Sequence, residues 1–90
     1  MSLLGTIGPF DTSKSWDEYS ERLAQFFVAN DVTDAGKKRA ILLSVIGDAT
    51  YSKLRALVGP QKPADLPYDD LVIKLQSHFE PEPSETVARF

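Results

Sequence analysis

Apolar side chains recur at spacings of three and four between positions 16 and 30, which is the repeat of one face of an α-helix. This stripe is unusually aromatic, so we expect the first helix to supply much of the hydrophobic core. If any of its rings is exposed at the rim, we expect Tyr19 or Phe27. The stripe consists of Trp16, Tyr19, Leu23, Phe26, Phe27 and Asn30.

Both ends of the first helix carry recognisable signals. Ser15 followed by Glu18 is a capping box, in which the hydroxyl and the carboxylate each bind a free backbone amide. Acidic side chains crowd the same turns, where the helix dipole favours negative charge. Asn30 and Asp31 interrupt the apolar repeat, so we end the helix there.

A nearly unbroken apolar run predicts a second helix over about 35–46, with Asp34 as its N-cap. Because this helix is apolar almost all round, we expect it to be buried on several sides and central to the fold. Gly47 suits the left-handed position that ends a helix, and Asp48 can cap a third helix at once. That helix, over about 49–57, presents to the core Tyr51, Leu54, Leu57 and Val58.

Residues 59–67 hold three of the six prolines, so we predict a loop there. A fourth helix follows over about 68–79, with two aspartates in its first turn. Its stripe is Tyr68, Leu71, Val72, Leu75 and Phe79. Ser84 can cap a fifth helix over 85–90, but two turns are marginal in water. We therefore expect the chain to be cut from a longer protein inside or just after that helix.

The segment before the first helix is apolar but contains glycines and a proline, which do not permit a helix. We therefore predict an extended N-terminal arm over 1–14 and one helical domain over 15–90. Phe10 lies close to the first helix, and we interpret it as an anchor onto its own domain. The other apolar side chains of the arm either fold back in the same way or reach a neighbouring molecule. They are Leu3, Leu4 and Ile7.

Composition narrows the classes of function. The chain has 90 residues, a net charge of −3 and no cysteine, which excludes disulfides and cysteine zinc sites. The negative net charge argues against nucleic-acid binding as the main function, because binding phosphates requires a cationic face. No apolar stretch approaches the roughly 20 residues of a membrane span, and we see no secretory signal. We expect an intracellular, cytoplasmic protein.

Few residues are candidates for chemistry. The cationic run Lys37–Arg39 could bind RNA or an anionic cofactor, but a solvated helix face is the simpler interpretation. Asp69 with Asp70 resembles an acid–base pair, as does Glu80 with Glu82, yet adjacent helical residues do not face one another. His78 alone cannot form a metal site, so we interpret it as a favourable charge in the last turn of the fourth helix, with a pH-sensing role as the alternative. We predict no enzyme activity, no metal and no cofactor.

The combination of these elements resembles the N-terminal capsid domain of Gag polyproteins from gypsy-class LTR retrotransposons and of host genes domesticated from them. The matching residues cover 9–90 and read "PFD", "W..Y..RLAQFFVAN", "KKRAILLSVIGDATYSKL..L..P" and "Y.DLV.KL..HFEPEPSE..ARF". The resemblance implies an all-α, compact four- to five-helix bundle. It also implies self-assembly into capsid-like, virus-like particles, with RNA bound only by regions downstream of this chain.

Two functions follow as expectations. In the first, the chain is a structural capsid lobe whose partner is itself. In the second, it is a domesticated module that binds short peptides of other proteins in an apolar groove. The predicted core comprises Trp16, Leu23, Phe26, Leu42, Leu43, Ile46, Leu54, Leu71, Leu75 and Phe79. Predicted partner or peptide contacts are Leu3, Leu4, Ile7, Phe10, Tyr19, Tyr51, Tyr68 and His78. The predicted assembly surface comprises Arg22, Gln25, Val28, Lys38, Lys53 and Arg55.

Overall fold

Helices account for all regular structure in residues 5–79, the part of the chain that this computed structural model describes. The predicted fifth helix and the side chains of Leu3, Leu4, Glu80 and Glu82 lie outside these residues. The elements are α1 (Trp16–Ala29), α2 (Ala35–Val45), α3 (Asp48–Val58), a short 3₁₀ helix (Pro63–Asp65) and α4 (Tyr68–Phe79). The all-helical, compact fold expected from the sequence is confirmed for this part of the chain.

Local hydrogen bonds fix both ends of α1. The Ser15 hydroxyl accepts the N–H of Glu18 at 3.1 Å, which is the hydroxyl half of the predicted capping box. At the far end Asp31 has a left-handed backbone with φ 56°, and the N–H of Val32 donates to the carbonyl of Phe27 at 2.9 Å. This is a Schellman motif with aspartate in the position that usually holds glycine. Phe27 and Val32 are both buried, so the motif also contributes to the core.

The corner between α2 and α3 depends on Gly47. Asp34 caps α2 as predicted, accepting the N–H of Lys37 at 2.8 Å. The prediction that Asp48 caps α3 is wrong, because Asp48 is the first residue of that helix and Gly47 is its N-cap. Gly47 has φ 89°, and a Cβ there would lie 2.8 Å from Cβ of Pro9. Only glycine therefore lets the N-terminal segment pass so close to the corner.

The central helix is α4, and the expectation that α2 is central is wrong. The main contacts of α4 are with α1, α2 and α3, whereas α2 packs mainly against α4 and the 3₁₀ helix. Within α2 only Leu42 is fully buried, while Ile41, Leu43 and Val45 are half-buried. The apolar residues of α2 are spread around the helix, but only one side of the helix faces α4.

The core lies between the helices and includes the N-terminal segment. Of the ten predicted core residues, seven are fully buried, and the other three, Phe26, Leu43 and Phe79, are partly buried against them. Leu57, which was expected to face the core, is 38% exposed. The buried side of α3 is formed by Thr50, Leu54 and Val58, which are spaced four apart, and Leu57 lies outside that row. Inside the core, Trp16 Nε1 and Thr50 Oγ1 have no hydrogen-bond partner among residues 5–79. The buried apolar side chains are Phe10, Trp16, Tyr19, Leu23, Phe27, Val32, Leu42, Ile46, Leu54, Val58, Leu71 and Leu75.

Candidate functional site

The described part of the N-terminal arm is attached to the helical domain. The Phe10 side chain is 6% exposed, and its ring centroid lies 5.1 Å from Trp16, 5.4 Å from Tyr19 and 5.0 Å from Phe79. Its backbone N–H donates to the carbonyl of Ile46 at 3.1 Å. The segment around Phe10 is therefore part of the core, as the anchor interpretation of that residue predicted.

Contrary to the prediction, two of the expected partner contacts lie mainly in the core. Phe10 and Tyr19 are both buried, and the small part of each that remains exposed lines a groove of about 260 Å³ between the N-terminal segment and α1. Tyr19 is 7% exposed, and its hydroxyl donates to the carbonyl of Gly8 at 2.7 Å, with the Val45 carbonyl at 3.4 Å. The expectation of a rim position for Tyr19 or Phe27 is also wrong, since Phe26 is the more exposed phenylalanine of α1. Ile7 is half-buried against the core.

Burial changes the pKa values of two tyrosine hydroxyls. Desolvation raises the pKa of Tyr19 to about 12, although the nearby Arg22 opposes the shift. Desolvation also raises the pKa of Tyr68, and the charge of Asp69 adds to that effect. The Tyr19 hydroxyl keeps its proton well into the alkaline range, and it acts as a hydrogen-bond donor that holds the N-terminal segment.

The other predicted contact residues do not converge on one site. Tyr68 is half-buried, with its ring 5.6 Å from that of Phe27, and it borders a groove between α1 and α4. His78 is exposed beside Phe79, at 4.7 Å between ring centroids, and borders a different groove between α3 and α4. Tyr51 is half-buried on α3 and borders neither groove.

The predicted assembly surface divides into separate patches. On α1, Arg22, Gln25 and Val28 are exposed, with Val28 at 68%. Lys53 and Arg55 are exposed on α3, on a different helix. The ammonium of Lys38 lies 5.8 Å from the centre of the Phe27 ring, where it gains a cation–π contact.

The cationic run on α2 is partly occupied by structural contacts. The guanidinium of Arg39 donates to the Leu66 carbonyl at 3.1 Å, which connects α2 to the segment before α4. Lys38 covers Phe27, and Lys37 is the exposed member of the run. These positions favour the interpretation of the run as a helix face with structural contacts over an RNA site.

The most exposed apolar side chain of α4 was missed from the sequence. Ile73 is 61% exposed and borders two grooves, one on each side of α4. Its signal was an isolated apolar residue outside the buried stripe of the fourth helix. The acidic groove, about 480 Å³, is lined by Ser20, Glu21, Ala24, Tyr68, Asp69, Val72 and Ile73. The basic groove, about 450 Å³, is lined by Leu57, Ile73, Lys74, Ser77 and His78.

Little in residues 5–79 suggests chemistry at a reactive centre. No group of three histidine, aspartate or glutamate side chains in this range could hold a metal ion. Asp69 and Asp70 are both exposed in the first turn of α4, where they suit the helix dipole. None of the helices described combines the length and apolar character that crossing a bilayer requires.

Comparisons of the chain with models of known protein families, with curated proteins and with solved structures found no match.

Proposed function

We propose that the chain is a non-enzymatic module for protein self-association, used as the N-terminal lobe of a Gag-type capsid protein inside the cell. One observation carries this proposal. Large apolar side chains, Val28, Leu57 and Ile73, are exposed on helices whose opposite faces are packed into a core. Isolated exposed apolar residues are common, but here they border grooves on rigid helices, as interaction sites do.

Rigidity is what a repeating assembly requires of its subunit. Close packing fixes the angle between helices, and a closed shell needs the same angle at every contact. The capped ends of α1 and α2 and the attached N-terminal segment all support a stiff block. Each contact between subunits can then be weak, because repetition supplies the overall strength.

The sequence pattern is the reason for proposing a Gag-type capsid protein in particular. The aromatic first helix and the short corner after "LLSVIG" are both formed by described residues, at α1 and at Gly47. Capsid-like particles and RNA packaging would then depend on the chain together with downstream regions. The proposal places the assembled protein in the cytoplasm.

The experiment is sedimentation equilibrium of the wild-type chain over a concentration series reaching about 1 mM, where contacts of about 4 kcal/mol become populated. We expect reversible self-association that the double variant Val28→Asp/Ile73→Asp abolishes. Circular dichroism should show that the variant keeps its helices, because both residues are exposed. A wild-type chain that stays monomeric throughout the series contradicts the proposal.

A second candidate function is recognition of a short peptide. A third groove, of about 400 Å³, is favourable for it. Its apolar lining comes from Phe27, Val28, Val32 and Tyr68, and Lys38 and Asp31 supply one charge of each sign. A short peptide with one apolar anchor flanked by charged groups fits such a site. Binding of a peptide library to the wild-type chain, lost in Val28→Asp, would support this function. No binding at about 1 mM peptide would contradict it.

A further inference from the structure

The two grooves beside α4 carry opposite charge. The ionisable residues of the acidic groove that can be charged at neutral pH are Glu21 and Asp69, and no lysine, arginine or histidine lines it. The basic groove has Lys74 and His78 and no carboxylate. Each groove also has an apolar part, with Val72 in the acidic one. The same face of the molecule therefore presents both a negative and a positive apolar site.

Ile73 lies between these two sites. The acidic groove uses residues 68–73 and runs beside α1, whereas the basic groove uses residues 73–78 and runs beside α3. The grooves are therefore displaced both along α4 and across it, on opposite sides of Ile73. A second copy rotated by 180° can therefore place its basic groove on the acidic groove of the first copy, with the two Ile73 side chains next to each other.

We propose that the face of α4 centred on Ile73 binds a second copy of this chain across a twofold axis passing near Ile73. Each acidic groove then faces the basic groove of the partner, and this pairing occurs twice. The two Ile73 side chains meet at the axis, where they are removed from water. This inference rests on the proposed function of self-association and names the surface that performs it.

Charge complementarity selects a second copy over other occupants. An acidic peptide would match the basic groove alone, and a cationic partner would match the acidic groove alone. A twofold pair of this chain satisfies both grooves at once, as a self-complementary interface must. The exposed apolar area is small, so the contact should be weak, with a dissociation constant on the order of 0.1–1 mM. Salt should weaken it further, because its charges are exposed.

Charge reversal tests whether the two grooves pair with each other, and an association that stops at two copies distinguishes a twofold pair from a head-to-tail chain. In Asp69→Lys, two lysines face each other at both contacts of the dimer, and in Lys74→Glu two carboxylates do. We expect each variant alone to dimerise about tenfold more weakly than wild type. An equimolar mixture of the two variants should recover wild-type affinity, because every contact in the mixed dimer again pairs opposite charges. Sedimentation equilibrium with one variant fluorescently labelled measures both quantities.

Matched controls distinguish charge changes within the two grooves from charge changes elsewhere on the domain. Asp48→Lys changes an exposed aspartate in the first turn of α3, as Asp69→Lys does in α4. Lys37→Glu removes an exposed lysine from α2. Neither residue lines either groove, so we expect dimer affinity within about twofold of wild type, allowing for long-range charge effects. Ile73→Asp should abolish the dimer.

The outcomes separate this inference from the proposed function. Wild-type association that persists in Ile73→Asp, or a mixture of variants that is no tighter than either alone, overturns the twofold contact and leaves self-association standing. A wild-type chain that stays monomeric overturns both. A monomeric chain that instead binds a glutamate-rich or a lysine-rich test peptide at these grooves also overturns both, in favour of a different protein partner.

Discussion

Replacing Phe10 with alanine tests whether the N-terminal segment belongs to the core. The side chain is 6% exposed and makes three edge-on contacts with aromatic rings, at 5.0–5.4 Å between centroids. Truncating a buried phenylalanine costs about 3–5 kcal/mol, and each aromatic contact accounts for about 0.5–1.5 kcal/mol. Small domains are stable by about 5–15 kcal/mol in total. We therefore expect Phe10→Ala to lose about 3–4 kcal/mol, most of the stability of a domain at the low end of that range.

Urea unfolding measures this loss, with two probes. The single tryptophan, Trp16, is buried and reports the core directly. Because Phe10 contacts Trp16, the native fluorescence will also change, so far-ultraviolet circular dichroism should supply the transition midpoint independently. Phe10→Leu keeps most of the apolar volume and should lose less than about 1.5 kcal/mol. A loss below about 1 kcal/mol in Phe10→Ala would refute the reasoning, because it would mean that the segment is detached in solution.

Three further predictions concern single residues. Thr50→Val should raise the free energy of unfolding by about 1 kcal/mol, which corresponds to about 4–8 °C in melting temperature. The reason is that the buried hydroxyl has no partner among residues 5–79, and valine has the same shape. A destabilised variant would show that the hydroxyl is bonded. Asp31→Gly should stabilise the domain by about 0.5–1 kcal/mol in urea unfolding, because glycine adopts the left-handed φ of 56° at this position without strain. Asp31→Ala should destabilise the domain, and the reverse order of the two variants would contradict the Schellman assignment. The raised pKa of Tyr19, about 12 against about 10 in the unfolded chain, gives stability that is complete below pH 10 and lost as the pH rises through the folded value. The stability difference between wild type and Tyr19→Phe should therefore shrink between about pH 10 and 12, and a constant difference would rule out the role of the hydroxyl.

Helix positions could be predicted because local signals set them. Ser15 and Asp34 act as caps through contacts within three residues, and sequence spacing reveals such contacts. The fourth helix was also predicted with the bounds that the structure has, because its apolar repeat and the preceding proline agree. These features need no knowledge of the rest of the fold.

Features set by packing between distant segments were harder to predict. Apolar residues all round α2 suggested that this helix is central. The burial of a helix depends on how many other elements pack against it, and more helices pack against α4 than against α2. Gly47 was recognised as a helix end, yet the close approach of Pro9 became visible only in the structure. The grooves on both sides of Ile73 combine side chains of three helices, so the sequence could show the exposed isoleucine but not its surroundings.

If the rigid helical block binds a second copy at α4, the surroundings of Ile73 must change when the pair forms. Methyl NMR of a chain labelled at isoleucine tests it most directly, since the four isoleucines report separate regions. Raising the concentration to about 1 mM should shift the Ile73 methyl signal progressively, while the signal of the fully buried Ile46 stays in place. An Ile73 signal that does not move over the whole series would contradict the account.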